Sequence, residues 1–152
     1  MAEFDGPAIL AVLARHQVDY LLIGGFAAAA QGSPIPTTDV DIVPATDRDN
    51  YVALSAALTE LDARVRTSGV EPLNLTTRYG DLDITVLPAG TQGYDDLRRD
   101  AIAVEIRGVR IKLASLADIV RSKEAAGRDK DRRALPVLRE LVARQMRERR
   151  GR

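Results

Sequence analysis

The chain has no cysteine, no tryptophan and a single histidine, His16. Lack of thiols excludes disulfides, thiolate nucleophiles and cysteine-ligated zinc. One imidazole cannot build a histidine-rich metal site. Aromatic side chains make up only 4% of the residues, so a core has to come from Leu, Ile, Val and Ala. No long apolar run is present either: the longest, Leu21 to Ala30, is interrupted by glycines and is about half of what a membrane span needs. Glu3 and Asp5 stand where a secretory signal would carry Lys or Arg. These absences predict a soluble, cytoplasmic protein with no membrane partner.

What is present is enough for one domain: 152 residues, 45% of them apolar. A chain of that length hides roughly 70% of its unfolded surface on folding. The zero net charge conceals an asymmetry, because residues 1–120 carry 10 basic and 17 acidic side chains and residues 121–152 carry 12 and 5. The plain reading is a solvated C-terminal helix docked on an acidic body. The sharper one is a basic surface for polyphosphate or RNA. No aromatic follows Tyr94, so the tail lacks rings for base stacking and would have to act through phosphate contacts.

Apolar spacing predicts a helix over residues 6–17, a buried strand over 19–24 ending in Gly24-Gly25, and a short Ala-rich helix closed by Gly32. Alternation in TTDVDIV (37–43) predicts a strand. A variant capping box from Thr46 to Asp49 opens a helix whose inner face would be Tyr51, Leu54, Leu58 and Leu61. LNLTTRY and DLDITVL read as two strands joined at Gly80, and AIAVEI with VRIKL as a hairpin around Gly108. From Ser115 the pattern is helical, with Pro136 near the start of the last helix. The fold class is thus α/β, a small mixed sheet with packed helices: an α/β core over 1–114 and a C-terminal helical segment over 115–152.

Three carboxylates stand out. Asp39 and Asp41 are two apart on one strand, so their side chains share a face about 6.7 Å apart. Asp83 lies in a second strand of the same character, and if the strands are neighbours it can approach the pair to about 5 Å. Asp81 shares the face of Asp83 and rivals it for the third position. Three anions that close repel one another and raise at least one pKa unless a cation joins them. Oxygen-only ligands suit Mg²⁺ or Mn²⁺. Gly24-Gly25, between strand and helix, would let a phosphate approach the backbone. Ser33 and Thr37 are placed to be phosphate contacts or simply loop and strand-start residues, and His16 is read as a surface residue.

The run IGGFAAAAQGSPIPTTDVDIV resembles the signature of the DNA polymerase β-like nucleotidyltransferase superfamily, and DLDITV resembles its third-carboxylate strand. LADIVRSKEAAGRDKDRRALPVL is similar to the C-terminal helical motif of small bacterial nucleotidyltransferases related to abortive-infection and toxin–antitoxin enzymes. The resemblance covers roughly residues 8–142. It implies a nucleotidyltransferase-like fold in which Asp39 and Asp41 hold metal ions on a nucleoside triphosphate such as ATP. Asp83 would join the metal site and help activate the attacking hydroxyl. Gly24, Gly25 and Thr37 would meet the triphosphate and Lys123 the nucleotide, while Arg128, Lys130 and Asp131 continue the motif. The chain departs from the pattern at Ile35, where many relatives carry Arg, and at Arg132-Arg133-Ala134. The implied acceptor is an RNA 3′ end (tRNA among them) or a protein, with a cognate partner protein if the chain belongs to a toxin–antitoxin system. An idle relative serving as a regulatory module, and a nucleic-acid-binding protein led by the basic tail, are the rival readings.

Overall fold

The computed structural model describes residues 3–69 and 71–151. Helix α1 (Gly6–Arg15) starts at Asp5, whose carboxylate accepts from the Ala8 amide at 3.1 Å, with Pro7 in the first turn where a missing N–H costs nothing. Strand β1 (Tyr20–Ile23) runs directly into α2 (Gly24–Ala29), so the two glycines form that helix's first turn rather than a spacer before it. Strand β2 (Asp39–Pro44) begins two residues later than the alternation suggested, leaving Thr37 just outside it. Helix α3 (Arg48–Glu60) follows, then β3 (Arg64–Val65), β4 (Leu73–Thr77), β5 (Gly80–Ile84), α4 (Tyr94–Arg98), β6 (Ile102–Ile106) and β7 (Val109–Leu113). Helix α5 (Leu116–Ala126) is capped by Ser115 and stopped by Gly127 in the left-handed conformation, and α6 (Asp129–Arg150) completes the chain.

The strands form one mixed sheet in the order β3-β4-β5-β2-β1-β7-β6. Its centre fixes the geometry that matters. Strands β1 and β2 are antiparallel with Ile23 opposite Asp41, while β2 and β5 are parallel with Asp39 opposite Asp81 and Asp41 opposite Asp83. Alternation then sends Val40, Ile42, Leu82 and Ile84 into the core and all four carboxylates to the other face. Helices α1 and α3 contribute Ile9, Leu13 and Leu54 to the buried cluster, and α6 contributes Leu138 and Leu141. The C-terminal helix is therefore seated by apolar contacts. Its arginines pair mainly within the C-terminal segment, Arg139 with Glu124 and Arg147 with Glu140, rather than with the acidic body; Arg121 to Asp96 is the exception in that segment.

Three sequence expectations are corrected. The cap of α3 is Asp47, not Thr46: its carboxylate accepts from the Asn50 amide at 2.8 Å. Tyr51 is 42% exposed, and Asn50 takes the inward place. The reason is polar: Asn50 Oδ1 accepts from the Asp19 amide at 2.7 Å, and Nδ2 donates to the carbonyls of Asp19 and Ala45, both at 2.8 Å. Asn50→Ala removes the partner of the Asp19 amide and of the Ala45 carbonyl, while the Asp19 carbonyl keeps the Ala45 amide at 3.0 Å, and we expect a loss of about 2 kcal/mol, read as a lower urea midpoint at unchanged slope. Pro136 is the eighth residue of α6, inside the helix, because the helix opens at Asp129 and not near Pro136. Proline there removes the partner of the Arg132 carbonyl on an exposed face. Pro136→Ala should accordingly stabilise the protein by about 2 kcal/mol, again measured by urea unfolding.

Candidate active site

The end of β1, the start of β2 and the length of β5 meet at one place. One carboxylate oxygen from each of Asp39, Asp41 and Asp83 lies within 4.8 Å of the others. Strand pairing brings them together: alternation puts Asp39 and Asp41 on one face of β2, and the parallel register sets Asp83 beside Asp41. The rival third carboxylate, Asp81, stands outside the cluster. It is 40% exposed against 13% for Asp83, accepts from Thr76 Oγ1 at 3.3 Å and lies 3.3 Å from the Arg66 guanidinium.

Gly24 is required by this geometry in two ways. Its φ is +72°, where side chains are rarely tolerated, and a Cβ built on it would stand 2.3 Å from Asp41 Oδ2. The Asp41 carboxylate thus lies directly against the first residue of α2. Gly25 is less demanding: its Cβ would meet Thr37 Oγ1 at 3.3 Å. Thr37 donates to the Asp39 carbonyl at 3.2 Å, which ties the entering loop to the strand carrying the carboxylates.

Crowding shows in the electrostatics. Burial, then the hydrogen bond and charge of Asp83, push Asp39 up to about 6. Burial, then the charges of Asp39 and Asp83, push Asp41 up to about 8. The Lys130 ammonium opposes both shifts, so the N-terminal turn of α6 faces this cluster. Arg128 responds to Asp41 as well as to Asp131. Without a cation the three carboxylates are poorly compensated. Three convergent acidic oxygens with no nitrogen or sulfur are the donor set for Mg²⁺ or Mn²⁺, and the residues present fit such an ion.

Lys123, expected at the nucleotide, has its ammonium 3.5 Å from Asp131 Oδ1. Asp131 is fully buried, and Arg128 donates to it through Nε at 2.7 Å and through its amide at 3.2 Å. Burial works to raise Asp131, yet the Arg128 hydrogen bonds and charge, with Lys123, hold it below the ordinary carboxylate value. Asp131 thereby closes the start of α6 as a capping box and holds Lys123 and Arg128 on one carboxylate. Ser33 Oγ accepts from the Ile35 amide at 3.2 Å, a loop role, and His16 pairs with Glu60 at 2.9 Å, away from the triad. The residue that sequence reasoning missed is Arg66, which donates to Asp83 Oδ1 at 2.8 Å. Nothing in its local sequence marks it, since it follows a strand too short to show a period.

The fold is one already known among solved structures. The chain superposes on lincosamide antibiotic adenylyltransferase LnuA, solved with lincomycin bound, with a TM-score of 0.67 at 16% identity over 93% of this chain and 99% of that one. It also superposes on the Thermotoga maritima protein TM1012 (TM-score 0.58, 23% identity, 90% and 89% covered). ANT(2″)-Ia in complex with adenylyl-2″-tobramycin gives a TM-score of 0.60 at 16% identity, with 92% and 88% covered. No protein-family model matches the chain, and no curated protein matches it in sequence. The chain has the nucleotidyltransferase fold. No helix among the described residues is long and apolar enough to cross a membrane.

Proposed function

We propose that this chain is a single-domain nucleotidyltransferase that moves a nucleotidyl group from a nucleoside triphosphate to an acceptor hydroxyl. The observation that carries the reading is the convergence of Asp39, Asp41 and Asp83 against Gly24. Bound Mg²⁺ or Mn²⁺ on these carboxylates would neutralise the triphosphate and the charge that develops as pyrophosphate departs. In the reaction the acceptor oxygen forms a bond to the α-phosphorus. The bond from that phosphorus to the α,β-bridging oxygen breaks, and pyrophosphate leaves with the electron pair. Asp83, on the strand beside Asp41, would take the hydroxyl proton. Gly24, Gly25 and Thr37 border the triphosphate's approach. Lys130 and Arg128 supply positive charge toward the carboxylates, and Lys123, held by Asp131, would meet the nucleotide.

Two acceptor classes have support. The excess of basic residues in 121–152 favours an RNA 3′ end such as that of tRNA, or a protein held by charge. The likeness to enzymes solved with lincomycin and with adenylyl-2″-tobramycin favours a small hydroxyl-bearing molecule. The C-terminal motif supports a place in a cytoplasmic toxin–antitoxin or abortive-infection system with a cognate partner. The test is incubation with each α-labelled nucleoside triphosphate and Mg²⁺, offering total tRNA, cellular protein, lincosamides and aminoglycosides in turn. We expect label on one acceptor class and none with Asp39→Ala or Asp41→Ala. Triphosphate binding indifferent to Mg²⁺, with transfer to no acceptor, would establish the idle regulatory module instead.

A further inference from the structure

We infer that Arg66 is a positioning residue for the third carboxylate, fixing Asp83 so that one of its oxygens always faces the metal pole. The inference rests on the nucleotidyltransferase reading of the triad and adds a residue to it. Arg66 lies just beyond β3, where its amide donates to the Asn74 carbonyl at 2.8 Å. Its guanidinium then reaches across two strands. One terminal nitrogen donates to the Leu75 carbonyl of β4 at 2.7 Å and stands 3.3 Å from Asp81 Oδ1; the other donates to Asp83 Oδ1 at 2.8 Å.

A carboxylate's last torsion is broad and roughly two-fold, so an unanchored Asp83 would sample orientations that withdraw its oxygens from Asp39 and Asp41. Arg66 holds Asp83 Oδ1 at 2.8 Å, and an oxygen of Asp83 lies within 4.8 Å of an oxygen of Asp39 and of Asp41. The clamp depends on shape. Only the planar guanidinium fork can hold a backbone carbonyl, Asp81 and Asp83 together; an ammonium is a point charge on a flexible stem. Groups that orient metal-ligating carboxylates are worth about 10–100-fold in metal affinity. Arg66 also carries a positive charge close to a cation site, and charge alone would weaken metal binding. The two effects have opposite signs, which makes the role measurable.

The experiment is Mn²⁺ titration of the full chain without nucleotide, followed by electron paramagnetic resonance, for the natural protein, Arg66→Lys and Arg66→Met. Positioning predicts that both variants bind Mn²⁺ on the order of tenfold more weakly, Lys no better than Met, with an altered bound-Mn²⁺ spectrum. If Arg66 acts only through charge, Met binds more tightly and Lys matches the natural protein, and the inference fails. If it merely fastens the sheet edge, melting temperatures fall while Mn²⁺ affinity and spectrum stay put, and it fails again. Natural protein that binds Mn²⁺ and transfers nucleotide while Arg66→Lys binds equally well overturns the positioning role alone. Natural protein that neither binds Mn²⁺ nor transfers nucleotide overturns the functional reading with it.

Discussion

Asp41→Asn should abolish nucleotidyl transfer and, in the same protein, raise the melting temperature of the metal-free form. On the proposed function Asp41 would hold a metal ion on the triphosphate, and its loss forfeits about 4 kcal/mol of transition-state stabilisation, or about a thousandfold in rate. The stability gain comes from relieving charge. Asp41 is half-buried against Asp39 and Asp83, and its pKa of about 8, with about 6 for Asp39, records how unfavourable the ionised cluster is. Both folded values lie above the unfolded value of about 3.9. These groups therefore favour folding while protonated, at low pH, and that advantage is lost as pH rises through about 6 and then about 8. In chelator, natural protein and variant should melt together near pH 4 and diverge above it, the variant leading by about 5 °C at pH 8.5. Adding Mn²⁺ should reverse the order, because only the natural protein keeps the full ligand set. Equal melting temperatures at pH 8.5 in chelator would remove the physical case for a cation at this site.

The parts of this site that could be read from the sequence are those written in local pattern. Asp39 and Asp41 share a face because strand periodicity is two, and Gly24 stands out because a glycine between an apolar strand and a helix signals a backbone demand. Ser115 and Gly127 mark the ends of α5 by cap chemistry alone. What escaped was set by distant register. Alternation in DLDITV leaves Asp81 as a rival to Asp83, and the pairing of β5 with β2, which sets Asp83 beside Asp41 and an oxygen of Asp83 within 4.8 Å of Asp39 and Asp41, separates them. Arg66 meets Asp83 across 17 residues and Asn50 meets Asp19 across 31, so neither pairing leaves a local signature. Apolar spacing points Tyr51 inward because it cannot see the Asp19 amide and the buried Ala45 carbonyl that the Asn50 side chain meets. Pro136 was misplaced because Asp131, a buried carboxylate that caps α6, moves the helix start well ahead of it.

Gly24→Ala should also abolish transfer and Mn²⁺ binding, but with the opposite effect on stability from Asp41→Asn. Two costs combine at Gly24. Alanine at φ +72° pays about 1–2 kcal/mol for the left-handed backbone. Its methyl would also stand 2.3 Å from Asp41 Oδ2, a distance no packed structure keeps, so the carboxylate or the helix must move at a further cost of about 1–3 kcal/mol. We expect a fall of about 10 °C in melting temperature, together with loss of the bound-Mn²⁺ signal as Asp41 is displaced. Gly25→Ala is the control: its methyl meets Thr37 Oγ1 at 3.3 Å, a contact relieved by a shift of a few tenths of an ångström, and melting should stay within a degree or two of the natural protein. The coupling can be isolated. In an Asp41→Ala background the added methyl at Gly24 meets no carboxylate, only the remaining Cβ of residue 41 at 3.2 Å, so little beyond the backbone cost of about 1–2 kcal/mol should remain, and the difference between backgrounds measures the clash with the carboxylate. Equal destabilisation in both backgrounds would mean that Asp41 does not rest on Gly24. The acidic cluster would then have to be assembled by some other contact.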